Sequence, residues 1–141
     1  MPGIIGLGEA ARLAVGEGIA AQVAVAALRD GLERGLEQLD GVRIHAAAAT
    51  RVSNTTCAGF DGALGDVIAT ALDLAGIAVS TGAACSSGSV KPSPVLLALG
   101  QSEERAAEAV RFSLGLGTTE HDLKVLLEVL PGIVARARKF R

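Results

Sequence analysis

The chain has 141 residues, half of them apolar and 20 % charged, with a formal net charge of −2, two cysteines, and neither Trp nor Tyr. Such a chain suits one domain whose core is Leu, Val and Ile packed on small residues; disorder, a nucleic-acid-wrapping surface and a disulfide scaffold are excluded. No run reads as a membrane span and no secretory leader pattern opens the chain, so a reduced, cytoplasmic setting is expected.

The first forty residues read as helix. Ile19, Val23, Leu28, Leu32, Leu36 and Leu39 recur at helical spacing, with Arg29, Asp30, Glu33, Arg34 and Glu37 on the other face. Gly16 and Gly18 are expected to divide this helix in two, and Asp40-Gly41 to stop it. Short strands follow over Val42 to Ala46 and Ser53 to Phe60. A helix from about Leu64 to Ala75 ends at Gly76, and Ile77-Ala78-Val79 has strand character. Thr81 to Pro94 is a Gly/Ser-rich loop. Pro94 opens a short helix that Gly100 caps, and Ser102 is the expected N-cap of a second, through Glu108. Ala109 to Leu114 reads as a strand. Thr119 and Asp122 form a capping-box pattern before a helix carrying Leu123, Leu126, Leu127 and Leu130, which Pro131-Gly132 is expected to break. Ile133 to Ala137 then supplies a final turn or two. Helices alternating with short strands imply an α/β or α+β layer, a small sheet covered by helices behind a long N-terminal helix.

Several motifs have plain explanations. Gly6-Leu7-Gly8-Glu9-Ala10-Ala11 fits a loose dinucleotide-binding pattern, but only Ile4 and Ile5 precede it where a full strand is needed, so a glycine-tolerant helix start is expected. His45 and His121 have no partner at metal-ligand spacing. His45 is expected on a strand and His121 in a solvated first turn. Arg136, Arg138, Lys139 and Arg141 complement a helix C-terminus and end in solvent. Cys57, between Thr56 and Ala58, reads as a buried and inert thiol.

Two residues invite a chemical role. Cys85 stands in Ser80-Thr81-Gly82-Ala83-Ala84-Cys85-Ser86-Ser87-Gly88-Ser89, among small residues that would not pack it into a core. Lys91 nearby would favour its thiolate, so a nucleophile and a plain loop cysteine both fit. Arg111 lies between Val110 and Phe112 in an apolar strand, where burial would demand an anion. That anion is either a carboxylate of the same domain or one carried by a substrate, gripped by the guanidinium fork.

Three stretches together resemble the C-terminal part of NifS/IscS-type cysteine desulfurases of the class V aminotransferase family. They are Pro2 to Ala11, Gly76 to Gly88 with its continuation Lys91 to Gly100, and Val110 to Gly115 with Thr118-Thr119-Glu120. The resemblance spans essentially the whole chain, and the Cys85 segment is its most specific part. It implies the small domain of a fold-type I pyridoxal phosphate enzyme, residues 1–141 as one domain, with the cofactor-binding large domain absent. Cys85 matches the nucleophile that becomes a persulfide as cysteine is converted to alanine. Arg111 matches the arginine that binds the substrate carboxylate. The implied partners are the large domain, in the same or a separate chain, and sulfur acceptors such as an iron–sulfur scaffold protein or tRNA-thiolation enzymes, with a homodimer possible. The family's cofactor lysine follows a histidine, and Lys91, Lys124 and Lys139 lack that context, so no cofactor-binding residue, bound cofactor or metal site is expected in this chain alone. Ser53 stands where the family commonly has Pro, and Asp66 where it often has Glu. The alternative is a stand-alone persulfide carrier or interaction module without the cofactor.

Overall fold

The computed structural model describes residues 1–16, 18–81 and 92–140, without the side chain of Ile19. Cys85, Lys91 and Arg141 therefore lie outside the described residues, as does most of the expected Gly/Ser-rich loop. The elements run α1 (Pro2–Gly16), α2 (Gly18–Leu36), β1 (Val42–Ile44), β2 (Thr55–Phe60), α3 (Gly65–Leu74), β3 (Ser80–Thr81), α4 (Pro94–Ala98), α5 (Glu103–Ala107), β4 (Ala109–Ser113) and α6 (Glu120–Ala137), closed by a 3-10 turn (Arg138–Phe140). The expected division near Gly16 and Gly18 falls between α1 and α2. Gly6 and Gly8 lie inside α1, with no strand before them.

The strands form one antiparallel sheet in the order β1-β2-β4-β3. Strand alternation sorts its residues between two faces. Thr56, Ala58 and Phe60 of β2, with Val110 and Phe112 of β4, turn inward and are buried. They meet Leu32 and Leu36 of α2, Ile68 and Leu72 of α3, and Leu126, Leu130, Ile133 and Val134 of α6 in one apolar cluster. Phe60 and Phe112 pack edge to face at 6.5 Å, a geometry favoured by the ring quadrupoles. On the opposite face, Leu96 of α4 and Ala106 of α5 make a small cluster with Ala109, with Cys57 against it.

Helix ends follow the expected signals. The Ser93 and Ser102 side chains accept from Leu96 and Arg105 N–H groups, and Thr119 with Asp122 completes a reciprocal capping box. Gly76, at φ +80, ends α3 with Ile77 N–H donating back to Leu72.

Four expectations are corrected. The helix at Thr119 does not break at Pro131-Gly132, because α6 continues to Ala137. Proline removes one backbone bond, at a cost of about 3 kcal/mol, while Ile133, Val134 and Ala137 beyond it are buried in the core and offset that cost. The third strand forms at Ser80–Thr81 rather than Ile77–Val79. Ile77 and Val79 pack against the core, yet among the described residues the ladder to β4 is made by Ser80 and Thr81. The first strand stops at Ile44, since Ala46 at φ 54 turns the chain away. Arg138 does not merely end in solvent. Its guanidinium donates to the Asp61 carbonyl at 3.0 Å and the Asp40 carbonyl at 2.6 Å, tying the C-terminus to two loops.

Candidate functional site on the outer face of the sheet

Arg111 is exposed, which corrects the expectation of a buried guanidinium. Its neighbours Val110 and Phe112 fill the core, so alternation aims Arg111 at the opposite face. No carboxylate pairs with it among the described residues. The nearest strand residues are fixed by register: Cys57 of β2 on one side and Ser80 of β3 on the other. Side chains at directly opposed positions stand about 5 Å apart at Cβ. His45 extends the row, its backbone N–H donating to the Cys57 carbonyl at 2.8 Å just beyond β1. His45, Cys57, Arg111 and Ser80 thus cross the sheet in one line.

Three of this row, His45, Cys57 and Arg111, line a cavity of about 340 Å³, with Arg51, Thr55, Ser93, Leu96 and Leu99 around them. Two guanidiniums reach its wall, and they differ in availability. Arg51 is held by Glu33 in a two-pronged ion pair of 2.7 and 3.1 Å. Burial pushes the Glu33 carboxyl up, but Arg51, the Thr56 hydroxyl and Arg29 more than offset it, leaving Glu33 below its ordinary value. Among the described residues, Arg111 is the guanidinium on this wall without a carboxylate partner.

Cys57 is half buried beside Arg111, not sealed in the core as expected. Burial raises its thiol above the usual range, and the Arg111 charge opposes that rise only in part. His45 is buried, with its Nε2 lacking a hydrogen-bond partner among the described residues. Desolvation lowers its pKa, and the charges of Arg43 and Arg105 lower it further. The ring fits because position 59 is glycine: a Cβ there would stand 2.9 Å from Nε2. Arg43 itself is engaged by Asp61 and by Glu108, the latter at 3.3 Å.

Ser80 and Ser93 lie close to the two ends of segment 82–91, which carries Cys85. Both flank Arg111, one by register and one on the cavity wall. Cys85 itself lies outside the described residues. No lysine lines this cavity among the described residues. Lys124 is exposed on α6, Lys139 lies in the closing 3-10 turn, and neither neighbours Arg111. His121 is exposed in the first turn of α6, as expected. No group of three or more His, Cys, Asp or Glu side chains suited to a metal occurs among the described residues. No single helix there is long and apolar enough to cross a membrane. Sequence reading missed His45 and the outward turn of Cys57. Strict alternation from Phe60 backwards through β2 carries the signal for Cys57.

The aminotransferase class-V family model matches residues 1–126. The chain belongs to the class-V aminotransferase family. Within that family it resembles cysteine desulfurases. A cysteine desulfurase of Cereibacter sphaeroides is 46 % identical over 98 % of this chain and 35 % of its own length. The cysteine desulfurase IscS of Shewanella baltica (strain OS155) is 38 % identical over 96 % of this chain and 33 % of its own. A solved NifS-like protein superposes with a TM-score of 0.81 at 30 % identity, covering 96 % of this chain and 34 % of that one. The class-V chain described here therefore spans about a third of the length of the relatives it matches, and it shares their mixed helix and antiparallel-sheet fold.

Proposed function

We propose that residues 1–141 form the small domain of a NifS/IscS-type cysteine desulfurase. In the complete enzyme L-cysteine becomes L-alanine and its sulfur becomes a persulfide on Cys85. The balance is simple. The Cys85 thiol gains the sulfur, the substrate Cβ gains a hydrogen, and no outside oxidant or reductant is consumed. Arg111 holds the substrate carboxylate through two parallel hydrogen bonds. The observation that carries this reading is the Arg111 guanidinium on the cavity wall, without a carboxylate partner among the described residues and flanked by Ser80 and Ser93 near either end of the Cys85 segment.

Pyridoxal phosphate is the cofactor of such enzymes. With no lysine on the cavity among the described residues, its anchoring falls to the rest of the complete enzyme, in the same or a separate chain. This chain alone is expected to be inactive. The persulfide then passes to an acceptor such as an iron–sulfur scaffold protein or a tRNA-thiolation enzyme, in a cytoplasmic setting.

The complete enzyme provides the test. Cys85→Ala is expected to retain substrate binding and to form no protein persulfide by intact mass. Arg111→Lys is expected to raise KM more than it lowers kcat. Persulfide formation at the full rate in Cys85→Ala would overturn the assignment. The same mass measurement on this chain alone, given a sulfur donor, separates the stand-alone carrier: sulfur gained on Cys85 without the rest of the enzyme would favour it.

A further inference from the structure

Two arginines line the same cavity in opposite states. Arg111 has no carboxylate partner among the described residues. Arg51 gives N–H groups to both oxygens of Glu33, at 2.7 and 3.1 Å. The side chains of this pair are largely withdrawn from water, with 18 % and 13 % of their surface exposed. Against the upward push of burial, Arg51 holds the Glu33 carboxyl below its ordinary value, so the pair is ionised at neutral pH. The charges around it also cancel. Arg29 lies 3.9 Å from Glu33 and is itself engaged by Asp30 at 2.8 Å and by the Val52 carbonyl at 3.1 Å. Asp30 and Glu33 thus match Arg29 and Arg51 one for one.

A guanidinium whose fork is filled by one carboxylate cannot grip a second in the same two-pronged way. A cavity of about 340 Å³ takes one small ligand, so the cations on its wall set how many carboxylates can be matched. We infer that Glu33 sets the charge specificity of this cavity: by occupying Arg51 it leaves Arg111 as the single anchor, so that amino acids with one carboxylate are taken and those with two are disfavoured. This deepens the proposed function and rests on Arg111 being the carboxylate anchor. The second carboxylate of a dicarboxylic ligand loses water in the cavity and finds Arg51 already filled, which is costly for a charged group. L-Cysteine carries one carboxylate and avoids that cost. Glu33 acts through Arg51 and does not touch the substrate itself.

The test is NMR titration of the full chain with propionate, succinate and glutarate at neutral pH, read as the ratio of dicarboxylate to propionate affinity. In the parent each dicarboxylate is expected within about threefold of propionate. Glu33→Gln is expected to raise the ratio about tenfold for one of the two lengths, the scale of one charge-assisted contact. Adding Arg51→Gln is expected to abolish the gain. Asp30→Asn adds the same net charge without releasing Arg51, and is expected to leave the ratio unchanged. An ion pair serving stability alone predicts a ratio that Glu33→Gln does not move, and that result overturns the inference. Equal gains from Glu33→Gln and Asp30→Asn also overturn it. Should circular dichroism show Glu33→Gln unfolded, the double variant, which loses both charges together, still decides. A tenfold dicarboxylate preference in the parent that the double variant loses would make Arg51 an anchor already and overturn the inference, whereas equal ratios uphold it. Propionate shifts that survive Arg111→Ala remove the Arg111 anchor and this inference together. Propionate held by Arg111, with a ratio unmoved by Glu33→Gln, removes this inference alone.

Discussion

At the scale of single residues, stability and chemistry fall on different side chains. Arg111 buries nothing in the core, so Arg111→Ala is expected to change unfolding free energy by no more than about 0.5 kcal/mol. Urea denaturation of the two chains checks this. Glu33 is the opposite case, since its ion pair with Arg51 joins α2 to the segment before β2. Its folded pKa lies below the ordinary value of 4.5. The stabilisation is thus complete above that value and is lost as pH falls through the depressed one. Glu33→Gln is expected to be less stable than the parent at pH 7, with the two denaturation curves converging as the solution is acidified below about pH 4.

At the scale of elements, the backbone makes sharper demands. Pro131→Ala restores a hydrogen bond inside α6, and the position is exposed. A stabilisation of about 1–3 kcal/mol is expected, read as a higher Tm. Gly65 begins α3 directly against β4, where an added Cβ would run into the Ala109 carbonyl. Gly65→Ala is expected to cost about 1–3 kcal/mol, because backbone on both sides must shift. Most elements were legible in the sequence where local chemistry decides them. Thr119 with Asp122, Ser102 and Gly76 each announced a helix end. The misplaced pieces were decided from farther away. Pro131 is a breaker by local rules, and only the buried Ile133 and Val134 show why the helix survives it. Ile77 to Val79 have strand character, while the described ladder to β4 pairs Ser80 and Thr81. The site divides likewise. Arg111 was legible as a residue needing an anion, but its outward direction required knowing which strand neighbours face the core. His45 gave no local signal, because its place depends on the bare backbone of Gly59 across the strand pair.

At the scale of the whole molecule, protection should be uneven. α1 buries no residue, and Ile4, Ile5, Leu7 and Val15 are 70–74 % exposed. α6 contributes six buried residues. Hydrogen exchange is expected to be fastest among the helices in α1 and slowest in the α6 stretch from Leu123 to Val134. The sheet meets its surroundings differently. Its two edges are β1, three residues long, and β3, two residues long. Among the described residues, neither offers a long run of unpaired amides on which a second chain could template itself. Copies of this chain that stick together are therefore expected to do so through α1 and as dispersible clusters. Circular dichroism of such clusters should stay helical, and thioflavin T should stay dark. An exposed apolar helix beside sheet edges this short, among the described residues, favours sticking over fibres.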